Sequence, residues 1–263
     1  ILAGGMTLVI LIGGIDLSVG AVVALVGTVT VALLPEGGCA VALLGGLAVA
    51  AGFGAMNGVC AAKTRMPPFI ITLATMLMAR GVALRFHEGR PLPVPDSERF
   101  FLALGNARLF GVLPVPVLLM AAVLALMAVL LHRTRFGQHL YAIGGNREAA
   151  RFTGIRIARN EIIVYVLCAL LAGLAGVIHA SQLYSAEPAS GQGFELNAIA
   201  AVVVGGTSFT GGIGTMPGTL IGAVIIGILD KGLNQAGVHF SLQYIVKGLV
   251  ILAAVYLDVR RRK

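Results

Sequence analysis

The chain has 263 residues, 58% of them hydrophobic and 11% charged, with a formal net charge of +8. An ordinary soluble domain carries about a quarter charged residues, so this composition excludes one and implies a polytopic helical membrane protein. The positive excess does not argue for nucleic acid. It concentrates in residues 132–160 and in Arg260-Arg261-Arg262-Lys263, both beside apolar runs.

In chain order, residues 1–12 end an apolar run that Gly13-Gly14 breaks, and 17–34 then gives eighteen uncharged residues, enough to cross a hydrocarbon layer of roughly 30 Å. The run opens at Ile1 without a Met or a charged leader, so it is not a signal peptide, and further helix is expected ahead of it. Pro35-Glu36-Gly37-Gly38 turns the chain, and 41–62 crosses again. That span holds Gly54 and Gly58, a spacing that lets membrane helices approach closely. Lys63 and Arg65 mark an inside loop, and Pro67-Pro68 starts a helix from Phe69 to about Leu84. Residues 86–111 set Glu88, Asp96 and Glu98 against Arg90, Arg99 and Arg108, a balance that suits an outside loop.

Residues 112–131 lead into the 132–160 interval and 162–182 lead out of it. An outside loop at 185–193, a half-helix at 196–207 started by Glu195, a glycine break at 211–214 and apolar runs at 217–229 and 242–257 follow. The expected fold is all-α, a polytopic bundle of about eight to nine membrane segments with broken or half helices. Its expected organisation is one transmembrane domain over 1–263. Twelve Lys and Arg fall on the inside of this topology (Lys63, Arg65, six in 132–160, four in the tail) against three in 87–112. By the bias of cytoplasmic loops toward Lys and Arg, 132–160 and the C-terminus face the cytoplasm.

The 132–160 interval sets Arg133, Arg135, Arg147, Arg151, Arg156 and Arg159 against the single acid Glu148. Gly144-Gly145 ends any helix before it, Asn146 is a good N-cap, Glu148 sits in a first turn and Gly154 can end the segment. A short rod from Arg147 to Thr153, about 10 Å long, follows. Ala150 and Gly154 would form a close-approach face and Arg147 and Arg151 a charged one. Such a rod fits the groove of another protein; a solvated loop that only maintains topology fits equally well.

Asp16, an acid in an apolar stretch, must pair, cap a helix or face an aqueous path; an N-cap by Asp16 or Ser18 before Val19 is the preferred reading. Asn57, Thr72, Gln182, Asn197 and Thr207 are neutral hydrogen-bonding groups that suit a path for a polyhydroxylated solute or, equally, helix-to-helix contacts. Lys247 is expected to snorkel or to pair with Asp230. Gly13-Gly14-Ile15-x4-Gly20 and Gly211-Gly212-Ile213-x4-Gly218 share one spacing, and each precedes an apolar helix. Repeated broken helices are where transporters build paths, although 36 glycines make chance repetition a serious alternative. Cys39, Cys60 and Cys168 form no CxxC pair, and neither a metal-spaced cluster nor a Walker loop is present, so no metal, cofactor or ATP site is expected.

Four blocks carry a resemblance: Gly13-Gly14-Ile15-Asp16-Leu17-Ser18-Val19-Gly20; Pro67-Pro68-Phe69-Ile70-Ile71-Thr72-Leu73 with Arg80-Gly81; Gly137-Gln138-His139-Leu140-Tyr141-Ala142-Ile143-Gly144-Gly145-Asn146 with Ala149-Ala150 and Gly154-Ile155; and Glu195 to Ala200 through Gly205-Gly206-Thr207 to Gly211-Gly212-Ile213-Gly214-Thr215. In this order they resemble the permease subunits of sugar-type bacterial ATP-binding cassette importers, the ribose, xylose, arabinose and galactofuranose group. The wording of 132–146 looks closest to a galactofuranose permease. The resemblance implies a bacterial inner-membrane subunit without catalysis of its own. It also implies an ATPase partner, a periplasmic sugar-binding protein, a second permease, identical or not, and about one further helix before Ile1. It makes 132–160 a coupling loop, with Asn146, Arg147, Glu148, Ala149, Ala150, Arg151 and Gly154 as ATPase-coupling residues. Asp16, Ser18, Asn57, Thr72, Asn197 and Thr207 become candidate path residues. The rival reading is an ion- or proton-coupled secondary transporter built on Asp16 and the glycine breaks, and a third is a passive channel.

Overall fold

In lipid every backbone N–H and C=O must be satisfied within the protein, and long runs that are apolar on every face meet this as helices rather than as the alternating strands of a barrel. The protein, a computed structural model that describes residues 1–260 except the side chains of 240 and 257–259, follows that rule. Its helices are α1 Leu2–Leu11, α2 Val19–Lys63, α3 Pro68–Arg85, α4 Arg99–Asn106, α5 Val115–Arg133, α6 Arg135–Gly145, α7 Arg147–Phe152, α8 Ile157–Gln182, α9 Phe194–Val204, α10 Met216–Gln235 and α11 Phe240–Arg260. Among the described residues, five helices are long and apolar enough to cross a membrane: α2, α3, α5, α8 and α10. Arg261-Arg262-Lys263 of the basic tail lie outside the described residues.

Helix α8 is the axis of the bundle. It packs most extensively on α2, and then on α1 and α4. Small residues permit this: a Cβ at Gly54 or Gly58 of α2 would lie 2.7 Å from the α8 backbone at Tyr165 and Val166 or at Ile162. Helix α2 leaves helical geometry at Gly38 (φ 65°, ψ 177°), where the Pro35–Gly38 turn was expected. Helix α5 buries only Met127 and Leu131. Leu77, Leu126, Ile228 and Leu252 are likewise exposed, a pattern that suits lipid contact.

Two expectations, on residues 86–111 and on the start of α8, need correction, and α2 is found to start part-way along α8. Gly14 lies against the Tyr165 hydroxyl and Gly27 against Gly176. Residues 86–111 are not a plain loop: they carry α4, which buries Phe101 and Gly105 one turn apart against α8. Leu92–Pro93 pairs antiparallel with Ser185–Ala186. Helix α8 starts at Ile157 rather than 162, because Asn160 and Glu161 are buried within its first turns.

The 26 residues of α8 measure about 39 Å. They separate the 132–160 interval at one end from the paired 86–111 and 183–193 segments at the other. Ala62 borders the same surface hollow as Arg147 and Arg151, which puts the Lys63 loop at the 132–160 end.

Candidate functional site

The pattern half-helix, glycine break, long helix occurs twice. Helix α1 has 10 residues and leads through Gly13-Gly14 to α2; α9 has 11 and leads through 205–214 to α10. Both half-helices end towards the 132–160 interval, and they pack on each other. The Gly212 N–H donates to the carbonyl of Leu11 at 2.8 Å, so the two breaks are in contact. Gly13, Gly211 and Gly212 all take left-handed backbone (φ 78°, 84° and 74°), which strongly favours glycine. The spacing echo in the sequence corresponds to a spatial pairing.

Helix α6 closes over this junction. It was not anticipated beyond the Gly144-Gly145 stop, yet Phe136, Leu140 and Ile143 recur at i, i+4 and i+7 and the last two are buried. A Cβ on Gly144 would overlap the carbonyl of Leu11 and the amide of Gly212. The Tyr141 hydroxyl donates to the carbonyl of Gly214 at 2.6 Å. Burial pushes the Tyr141 phenol above the ordinary tyrosine range, which keeps it a donor at neutral pH.

Helix α7 projects from α6. Asn146 caps it by accepting the Ala149 N–H at 2.9 Å, with Glu148 in the first turn, as read from the sequence. Ala150 is buried, while Asn146, Glu148, Ala149 and Arg151 are exposed. Within this chain Gly154 makes no close contact beside Ala150. Nothing in the chain lies near a Cβ placed there, and the residue takes a left-handed turn at φ 82°. Two features escaped sequence reasoning. Phe152 stands 89% exposed at the tip of the rod. Arg147 forms an ion pair with Glu161 of α8, whose side chain is only 7% exposed against 51% for Arg147. Glu161 lay just beyond the basic interval, and its charge was the available signal.

Four of the six candidate path residues form one buried network. The Ser18 N–H and hydroxyl both donate to Asp16 Oδ1, at 2.9 and 2.6 Å. Asn57 Nδ2 donates to Ser18 Oγ at 2.9 Å, and Thr75 Oγ1 donates to Asn57 Oδ1 at 2.6 Å. Thr72 Oγ1 reaches the carbonyl of Ile15 at 3.3 Å. The expected cap is corrected: Ser18 occupies the N-cap position of α2 without a side-chain cap bond, and Asp16 turns back on Ser18 itself. This arrangement satisfies extended backbone that would otherwise be orphaned at membrane depth.

Asn197 and Thr207 stand apart from this network. Thr207 is buried against Gly214. Asn197 Nδ2 donates to Asp230 Oδ2 at 3.4 Å, and Asp230 pairs with Lys247 at 2.9 Å, the pairing anticipated for that lysine. Gln182, the last residue of α8, borders a neighbouring cavity with Asn197 and Asp230. Cys39, Cys60 and Cys168 are free thiols, and no cluster able to hold a metal occurs among the described residues.

Broken helices in corresponding positions of two halves are where transporters build a path. Residues 1–255 match the family described as branched-chain amino acid transport system / permease component. The chain belongs to this permease family. Its relatives include the ribose import permease protein RbsC of Escherichia coli K12, 48% identical over all of this chain and 82% of that protein. RbsC of Bacillus subtilis 168 is 46% identical over 99% of the chain and 81% of its own length. The D-allose transport system permease protein AlsC of E. coli K12 is 40% identical over 95% and 76%. No solved structure matches. Within the family the permease falls with the sugar importers of the ATP-binding cassette class: a multi-pass membrane subunit that transports and does not catalyse. The galactofuranose expectation draws no support from these relatives.

Proposed function

We propose that this permease is the membrane subunit of a bacterial inner-membrane importer for a pentose or a related monosaccharide. A partner ATP-binding cassette ATPase drives it and a periplasmic binding protein delivers the sugar. The relatives' printed substrates, ribose and allose, support that class. The carrying observation is the clamp in which a capped, exposed rod, α7, is continuous with a helix that grips both glycine breaks through Tyr141 and Gly144.

In this reading 132–160 and the C-terminus are cytoplasmic, and 1–263 is one transmembrane domain that pairs with a second permease. Asn146 to Arg151, with Phe152, sit in a groove of the ATPase, and Gly154 turns the chain back to the membrane. Closure of the ATPase pushes α7; Arg147 passes the displacement to α8 through Glu161, and α6 passes it to the ends of α1 and α9. Alternating access then follows from rocking the half-helices about the paired breaks. Asp16, Ser18, Asn57 and Thr72 hold one break in shape: Ser18 engages Asp16 Oδ1, and Asp16 Oδ2 is buried without a partner among the described residues.

The test is affinity purification of the tagged full-length protein in mild detergent, followed by sugar uptake in proteoliposomes. Co-recovery of an ATPase and ATP-dependent uptake of D-ribose or D-allose support the reading. Recovery of this chain alone, with uptake driven by an ion gradient, refutes it.

A further inference from the structure

Helices α10 and α11 touch little, and α11 leans mainly on α9. The resulting gap is a cavity of about 390 Å³ bordered by Asn197, Asp230, Asn234, Gln243, Tyr244 and Lys247. Its depth matters. Asp230 lies fourteen residues from the start of α10, about 21 Å along the helix, and Lys247 seven residues into α11, about 10 Å. Both therefore lie within these two apolar helices rather than in the turn between them, where polar side chains are costly unless they pair or meet water or a polar ligand. The cavity also opens at the N-terminal end of half-helix α9, away from the α6–α7 clamp and at the level where the chain enters from 183–193.

Its chemistry discriminates among ligands. Asn197, Asn234 and Gln243 are amides with two N–H donors and an acceptor each, the combination a sugar hydroxyl requires; Gln243 Nε2 already donates once to the Val238 carbonyl and Asn197 Nδ2 once to Asp230, which leaves each a second N–H and its carbonyl oxygen. Tyr244 adds an aromatic face beside them, with Lys247 Nζ 5.9 Å from its ring centre. Asp230 and Lys247 neutralise each other at 2.9 Å, so the lining carries no net charge from this pair. Such a site favours a neutral polyhydroxylated molecule over an inorganic ion. Its volume falls within the roughly 300–1,000 Å³ of small-molecule sites.

We propose that the cavity between α9, α10 and α11 is a sugar-binding station of this permease, taking a monosaccharide through Asn197, Asn234 and Gln243 on the way to the half-helices. The inference rests on the importer reading and assigns contacts that reading lacks.

The experiment uses the full complex of permease, ATPase and binding protein in proteoliposomes with radiolabelled D-ribose. In one arm Asn234→Leu and Gln243→Leu are compared with wild type for KM and maximal uptake, and ATPase co-purification reports assembly. Each variant is expected to cut uptake at least fivefold, and the double variant more than tenfold, with assembly intact. Uptake within twofold of wild type for the double variant overturns the inference. In the second arm, Asn234→Cys is placed in a chain whose three native cysteines are Ser, and it is treated with a membrane-impermeant thiol reagent. Labelling that D-ribose-loaded binding protein slows supports the station, even if the Leu variants fail to assemble. A thiol that never labels overturns it. If the wild-type complex imports no sugar with ATP, the importer reading fails instead.

Discussion

Arg147 and Glu161 make the sharpest test of how α7 is joined to the membrane core. Replacing Arg147 with Met removes a partner that is 51% exposed and leaves a carboxylate that is 7% exposed without its cation. Breaking a fully buried pair costs about 3–5 kcal/mol. Solvent around Arg147 screens this one, which lowers the expectation to about 1–2 kcal/mol, a factor of roughly 5 to 30 in any equilibrium between engaged and disengaged rod. Removing the acid as well removes the orphan, so Arg147→Met/Glu161→Gln should recover much of the loss. The assay is sugar imported per ATP hydrolysed in proteoliposomes, for wild type, both single variants and the double, read as a double-mutant cycle. The expected interaction energy is about 1 kcal/mol. Additivity within about 0.3–0.5 kcal/mol would refute the joint, because the two side chains would then act independently.

Gly144→Ala should abolish ATP-dependent uptake or assembly, since its methyl would overlap backbone atoms of Leu11 and Gly212, whereas Gly145→Ala, with open space around it, should behave as wild type. Equal effects at the two positions, measured by uptake and complex yield, would remove the close packing of α6 on the breaks from the mechanism. Tyr141→Phe deletes one hydrogen bond to Gly214, worth about 0.5–1.5 kcal/mol, and should lower coupling by about three- to tenfold. Because burial raises the folded phenol's pKa, its contribution is complete below the unfolded value of about 10 and is lost only as pH rises through the higher folded value. The wild-type to Phe ratio should therefore stay flat from about pH 6 to 9; a slope in that window would contradict the assignment. Asn57→Ala strips partners from both Ser18 and Thr75 in a buried network and should lower the melting temperature of the purified complex. The cost is about 2–3 kcal/mol, and an unchanged melting temperature would show the network to be dispensable.

Composition and local chemistry determine a good deal here without tertiary structure. Uncharged runs must be helices in lipid, Pro67-Pro68 must begin one, and Asn146 with Glu148 must cap a short one; α3 and α7 sit within a residue of those expectations. Glycines at 54 and 58 mark a close helix contact for the same local reason. What periodicity and charge cannot specify is which turn meets which. Two short patterns 198 residues apart become a single junction only because α1 and α9 pack together and leave Leu11 beside Gly212. Asp16 looked like a cap because the residues after it form a helix; that it instead bonds Ser18, with Asn57 and Thr75 completing the chain, depends on α2 folding back at Gly38 and on α3 lying against it. Helix α4 and the start of α8 were hidden by their charges, which the fold places at the ends of the bundle where Arg147 can neutralise Glu161. Local sequence sets the elements because backbone satisfaction is a local problem. Long-range packing sets the site because a buried polar group takes its role from whichever partner the fold brings within reach.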